Sequence, residues 1–469
     1  MGPRLATSPG LPARPRGLLV TVCLISLLTI WMSRLPKMCL YGDASTSLTT
    51  HSHSNPPAQP TVDLSRADAP FISWPLARVC RETTTWSPHL IFLCDNNSGG
   101  IGNIRNYILT CLRYAIDAGA GGLVLPRIST RSEKDLSNIH LDQRGFDYFF
   151  DEAHFRRSLH EACPQITVYD TLEAVPGSPA PPRKSDQLTP HDLGRRGGCD
   201  SRELNKHTGL FARQFHAWLN KTAAESDGRL AHPPTRDRPR AVRFNWGVQW
   251  DWPVFRDGPE FVATFGGLLR FRSDILDLGM RAAGYMREFA RKHQTGMATS
   301  KSPRFAGFHL RTESDALSRW PKFDEQSGAY LSRAEEIGFK AAYLATGNVT
   351  DAKRFVDLAK EKHGISVITK QDLLREYGAA RDDLAALQAL TWDQQGVVDF
   401  IVLLESDYFF GVSPSSFSIN VAGKRHLKEE GLYTRPWRIG GEGDGRSWLA
   451  GNYEHYWEDW LFMFDSLWP

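Results

Sequence analysis

Apolar and polar positions follow three different patterns along this chain. Gly17–Ser33 (GLLVTVCLISLLTIWMS) is an uninterrupted run without charge. It sits at the short end of the ~17–25 residues that a membrane span needs. Residues 34–85 are rich in Ser, Thr and Pro and have too little apolar surface to fold, so they predict a flexible, disordered stem. From His89 onward, short apolar runs alternate with helical spacing. His89–Cys94 (HLIFLC) predicts a buried strand, and DNNSGGIGN a glycine-rich turn. Ile104–Ala118 predicts a helix with Ile104, Ile108, Cys111, Leu112 and Ala115 on one face. Gly122–Pro126 predicts a second strand, which completes a βαβ unit. Ile166–Asp170 reads as another strand, residues 173–240 as a long insertion with a helix over Leu210–Ala223, and Phe271–His293 as one long helix.

A second series begins at Phe305. Phe305–Arg311 and Ser366–Lys370 predict strands, Gly338–Thr346 a helix end and a strand, and Asp351–Lys362 a helix. Val397–Leu404 fits a helix or a strand, and Tyr408–Val412 predicts a strand. Two such series, broken near residues 290–304, predict an α/β protein with two Rossmann-like domains, 86–299 and 300–469. A ligand belongs in the cleft between them, at the carboxyl ends of the strands. Trp448, Trp457, Trp460 and Trp468, with Tyr453 and Tyr456, predict a C-terminal helix packed back onto its own domain.

Charge orients the apolar run. Arg4, Arg14 and Arg16 precede it, while Arg34 and Lys37 follow. Residues 1–16 then form a cytosolic tail, 17–33 a single transmembrane helix, and the rest lies in the lumen as in a type II protein. A cleaved signal peptide is the alternative; its apolar core is usually about 7–15 residues. Either directs the chain into the secretory pathway. The sequons at Asn220 and Asn348 are candidate glycosylation sites, whereas Asn96 adjoins the glycine turn and is expected to stay unmodified. Cys80–Cys94 and Cys163–Cys199 are the expected disulfides, with Cys111 left over. A formal net charge of +3 gives no basis for nucleic-acid binding.

Three segments carry candidate chemistry. Gly99, Gly100, Gly102 and Asn103 sit between a strand and a helix, where backbone can approach an anion closely. His309 and Arg311 close a strand, and the guanidinium fork suits a diphosphate. Ser415, Ser416 and Phe417 follow another strand and offer hydroxyl and N–H donors. Two acidic triplets occur, Glu313-Ser314-Asp315 and Glu405-Ser406-Asp407; the second follows an apolar run and raises a competing possibility of a cation-dependent transferase that uses Glu405 and Asp407.

Taken in order, GGIGNIRN, GFHLR, YLATGN and the stretch from Asp399 (DFIVLLESDYFFGVSPSSFSINVAGKRH) resemble the GDP-fucose O-fucosyltransferase family from about residue 89 to 425. The resemblance implies a GT-B-like fold and an inverting, metal-independent glycosyltransferase of Golgi or ER membranes that moves fucose from GDP-fucose to a protein or glycan hydroxyl. It needs no cofactor. It implies that Gly99, Gly100, Gly102 and Asn103 line the donor sugar, that His309 and Arg311 hold the diphosphate, and that Arg311 is catalytic. Asp399 would accept hydrogen bonds from guanine, and Ser415, Ser416 and Phe417 would complete the nucleotide pocket. Some members carry a Glu as general base in the glycine loop; Gly100 stands at that place here. HLRTESDAL also resembles plant relatives written HLR-x-E-x-D, some of which transfer rhamnose from a UDP sugar. A non-catalytic nucleotide- or glycan-binding module is the remaining alternative.

Overall fold

Two parallel five-stranded sheets organise the chain. The computed structural model describes residues 62–178, 186–188, 208–224, 233–294, 302–316, 320–428, 439–441 and 443–469. In the first sheet the strands are β1 (Ser87–Leu93), β2 (Ala120–Val124), β5 (Thr167–Tyr169), β6 (Asp186–Leu188) and β7 (Arg240–Phe244), in the order β5-β2-β1-β7-β6. A short β3–β4 hairpin (Ile128–Ser129 with Gln143–Arg144) stands apart. The second sheet holds β8 (Ala306–His309), β9 (Ala341–Ala345), β10 (Ser366–Thr369), β11 (Tyr408–Val412) and β12 (Ser447–Ala450), in the order β10-β9-β8-β11-β12. Strands buried on both faces read as unbroken apolar runs, which is why Leu90–Leu93 and Tyr408–Val412 stood out in the sequence.

Helices cover both sheets. The glycine turn leads into α1 (Ile101–Asp117), while α2 (Thr208–Ala224) and α3 (Ser273–His293) follow the predicted positions. Val397–Leu404 is helical, within α4 (Trp392–Leu404). The deciding signal lies upstream of the apolar run. Thr391 caps the Gln394 N–H, and the Gln394 side chain returns to the Thr391 N–H at 3.1 Å. Helix α5 (Ser416–His426) starts at the N-cap Ser415.

Several expectations are corrected. The segment read as a stem contains a helix at Trp74–Glu82, with Leu76, Val79 and Cys80 buried. Its apolar residues fall on one helical face, so a small number suffices to anchor it. The disulfides are Cys80–Cys163 and Cys94–Cys111, with Cα separations of 5.6 and 5.7 Å. Cys94 ends β1 and faces Cys111 on the helix packed over it, a proximity that chain spacing does not reveal. Cys199 lies outside the described residues, as do Gly17–Ser33 and most of the stem. Among the described residues, no helix is long and apolar enough to cross a membrane.

The aromatic tail is not one helix. Trp448 belongs to β12, and only Phe462–Ser466 is helical. Trp468 is fully buried against Phe261 and Phe265 of the first half, at 5.6 and 4.9 Å between ring centres. Arg105 of α1 donates to the backbone oxygens of Trp468 and Pro469. The tail thus packs onto the opposite half of the protein, and residues 61–469 form one unit.

Candidate active site

In each sheet the strand order reverses beside the first strand, between β1 and β7 and between β8 and β11. Loops leaving neighbouring strands diverge at such points and open a crevice. The chain leaving β1 carries Gly99–Asn103, and the chain leaving β7 carries Trp246 and Trp250. Arg311 follows β8, and Ser415–Phe417 follow β11. All four segments meet around a cavity of about 390 Å³.

Of the residues singled out in the sequence, Gly100, Asn103, His309, Arg311, Asp399, Ser415, Ser416 and Phe417 line this cavity. Gly99 and Gly102 act from behind it. Gly99 turns the chain at φ +91°, a conformation that favours glycine. Gly102 lies so close to Ser416 that a Cβ would come within 2.9 Å of the Ser416 carbonyl carbon. The N-termini of α1 and α5 thereby meet at the cavity, each presenting N–H groups without helical partners.

Arg311 is not a free cation. It donates to Glu313 at 2.6 Å and to Asp315 at 2.8 Å, and its side chain is 15 % exposed. Arg131, from the loop after β3, reaches the same Asp315 at 3.2 Å. Two guanidinium groups from opposite halves therefore share one carboxylate. Burial pulls the Arg311 pKa down, but Glu313 and Asp315 outweigh it and hold the pKa above its ordinary value. For Glu313, burial raises the pKa and Arg311 lowers it, with a net fall. The first acidic triplet is thus the scaffold of Arg311. A guanidinium has five N–H donors, so the carboxylates leave capacity for a further anion.

His309 is buried, which depresses its pKa to about 4, so it is neutral at physiological pH. Its Nδ1 lies 2.7 Å from Ser418 Oγ. That hydroxyl already accepts the Val412 N–H at 3.1 Å, so its own proton can go to Nδ1. Nε2–H then remains as the donor of the imidazole. Phe417 packs over the ring at 4.5 Å.

Asp399 accepts from the Tyr343 hydroxyl at 2.6 Å and from Lys370 Nζ at 2.5 Å. On the same helix, Asp393 also lines the cavity and accepts the Arg131 backbone N–H at 3.0 Å. Burial raises its pKa to about 6, against the opposing effect of Arg131. Arg131, Lys370, Asp393 and the cavity-lining Trp246, Trp250, Trp320, Trp392 and Trp460 were not singled out as site residues in the sequence. The pair of tryptophans four apart, directly after a strand of alternating burial, was the one available signal (RAVRFNWGVQW).

The second acidic triplet lies elsewhere. Asp407 pairs with Arg287 and accepts the Phe305 N–H at 2.8 Å, and Glu405 pairs with Arg66 at 3.3 Å. Neither residue lines the large cavity, and no group of metal-ligating side chains occurs among the described residues. Asn220 is exposed on α2. Asn348 caps the helix Val349–His363 and donates through Nδ2 to Thr312 O at 3.2 Å and Asp351 at 2.9 Å.

The sequence pattern that defines the family described as GDP-fucose protein O-fucosyltransferase matches residues 90–428. No curated protein sequence matches the chain. Among solved structures, POFUT1 in complex with GDP-fucose is 15 % identical, with 79 % of this chain and 100 % of that chain covered and a TM-score of 0.41. A variant of Arabidopsis thaliana FUT1 with GDP is 10 % identical over 74 % and 71 % of the two chains, with a TM-score of 0.36. The fucosyltransferase NodZ from Bradyrhizobium is 12 % identical over 70 % and 90 %, with a TM-score of 0.33.

Proposed function

We propose, from the premise that the chain belongs to the GDP-fucose protein O-fucosyltransferase family and is a fucosyltransferase using GDP-fucose, that it works with inversion, without a metal, in a GT-B arrangement. The observation that carries this reading is the meeting of Arg311, the α5 N-terminus and the glycine turn around one cavity. The diphosphate sits against Arg311, the His309 Nε2–H and the N–H groups at Ser416 and Phe417. As the bond between the anomeric carbon and the β-phosphate oxygen breaks, its electron pair leaves with GDP. Preorganised donors of this kind contribute roughly 2.7–4 kcal/mol each to such a transition state. Glu313 and Asp315 are committed to guanidinium groups, which supports cationic side chains, in place of a metal, as the balancing charge.

The acceptor oxygen bonds to the anomeric carbon from the face opposite the departing phosphate, which inverts the centre. Its proton passes to water in this reading, with Arg311 keeping Glu313 a weak base and no carboxylate at Gly100. Guanine fits the Asp399–Lys370 pair. The carboxylate takes the N1–H and N2–H donors, and the ammonium donates to O6. Uracil flanks its single N–H with two acceptors and matches this pair less well.

The apolar run Gly17–Ser33 and its flanking arginines support a type II anchor in Golgi or ER membranes. The two disulfides support an oxidising lumen. Incubation of purified protein with GDP-fucose and acceptor, with and without EDTA, tests the reaction. Retained transfer in EDTA and an inverted product by NMR are expected. Loss of transfer in EDTA, restored by a divalent cation, refutes the metal-free mechanism.

A further inference from the structure

The nucleotide reading uses Arg311, His309, Asp399, Lys370 and the 415–417 turn, and leaves five tryptophans of the same cavity unassigned, one of them Trp392 on α4. Trp246 and Trp250 come from the crevice beside β7. Trp246 donates from its indole to Ser98 O at 3.4 Å, which places it beside the glycine turn. Trp320 and Trp460 come from the second half. The Trp320 ring centre lies 5.7 Å from the Arg311 guanidinium carbon, and the Trp320 and Trp460 rings meet edge to face at 6.4 Å. Trp246 and its neighbour Trp250 thus stand beside the glycine turn, and Trp320 and its neighbour Trp460 beside Arg311.

Two features go beyond ordinary packing. Trp460 holds a left-handed backbone at φ +63°, which a non-glycine residue adopts at a cost of order 1–3 kcal/mol. The buried Trp320 indole N–H has no hydrogen-bond partner among the described residues and belongs to a ring lining the cavity.

We propose that Trp246, Trp250, Trp320 and Trp460 form the acceptor subsite, and that the acceptor is a carbohydrate: fucose is passed to a sugar hydroxyl. This rests on the donor reading above. A pyranose presents an apolar C–H face that lies flat on an indole, and a rim of hydroxyls that hydrogen-bond to indole N–H and charged groups. Indole rings that line the same cavity as Arg311 and Asp315 match that two-sided chemistry. A peptide that docks by strand addition would instead need an exposed strand edge. The strands that flank the cleft, β1, β7, β8 and β11, are all interior to their sheets.

The test is intrinsic fluorescence of the full protein, with GDP bound, titrated with lactose, chitotriose and mannotriose and with an unglycosylated Ser/Thr peptide. At least one oligosaccharide is expected to shift the emission. Trp246→Ala should weaken that oligosaccharide by roughly tenfold, Trp246→Tyr should restore most of the loss, and GDP affinity should stay the same. Trp460→Gly, which relieves the left-handed strain, should weaken the same sugar while the protein stays folded. A response to the peptide alone, or to none of the four probes while GDP binds, overturns the proposal. An equal loss of GDP-fucose and oligosaccharide affinity in Trp246→Ala assigns the rings to the donor sugar and also overturns it. Failure of GDP itself to bind removes the donor reading, and the acceptor subsite with it.

Discussion

Gly102 of α1 faces the peptide between Ser416 and Phe417, where a Cβ would lie 2.9 Å from the Ser416 carbonyl carbon and 3.0 Å from the Phe417 nitrogen. The two helix N-termini that border the cavity are spaced by the absence of one methyl group. Backbone, not a flexible side chain, would have to move. Gly102→Ala is therefore expected to cost about 1–3 kcal/mol of stability and to weaken GDP by separating the two turns. Gly100 has open space around it, so Gly100→Ala should leave stability in the absence of GDP unchanged. Thermal unfolding with and without GDP separates the two variants.

Arg311→Lys keeps the charge but not the fork that spans Glu313 and Asp315. Transfer should fall by about 100-fold or more, while circular dichroism remains native. Near-normal turnover in this variant would show that the guanidinium does not stabilise the departing diphosphate.

Asp399→Asn removes the negative charge and one of the two acceptor oxygens that Tyr343 and Lys370 use. GDP affinity should drop by tenfold or more, and the preference for GDP over UDP should shrink. Calorimetric titration of both nucleotides reads this directly. Unchanged discrimination would place the base elsewhere.

Asp393 has a folded-state pKa of about 6, raised from 3.8 by burial. The folded state holds this proton through a range where the unfolded chain releases it. The contribution to stability is thus greatest at low pH and declines as pH rises from about 4 through about 6. Asp393→Asn keeps an acceptor for the Arg131 N–H and removes the buried charge. The variant should match the parent at pH near 4 and exceed it at neutral pH, by at most about 3 kcal/mol. Chemical denaturation at the two pH values checks the sign.

Cys80–Cys163 closes a loop with a sequence separation of 83 residues. Cys163→Ser should cost about 4 kcal/mol. Reduction should cost the parent more than this substitution does, because it also opens Cys94–Cys111.

Seven of the ten strands in the two sheets, the glycine turn, Arg311 and the 415–417 turn were legible along the chain, because each depends on a few consecutive residues, whereas β6, β7 and β12 were not. An apolar run marks a strand buried on both faces, and a glycine or serine turn directly after it marks a helix N-terminus. Helix α4 could have been read too, had Thr391 and Gln394 been taken as its cap. Arg131, Asp393 and Lys370 carried no such mark. Arg131 lies after a strand of two residues, and its significance comes from Asp315 and Asp393, which lie far along the chain. The disulfides were misread for the same reason, since Cys94 meets Cys111 through strand–helix packing.

Periodicity and turn chemistry along the chain are enough to specify an α/β protein and the kinds of group at its crevice, because they are local. Which charge neutralises which was left to the folded state. Folding pairs Arg311 with its own neighbours Glu313 and Asp315, brings Arg131 across the cleft to join them, and sends Trp468 to the opposite half. These are contacts between surfaces that only the packed sheets create, and burial there sets both the protonation of His309 and Asp393 and the space left for a ligand.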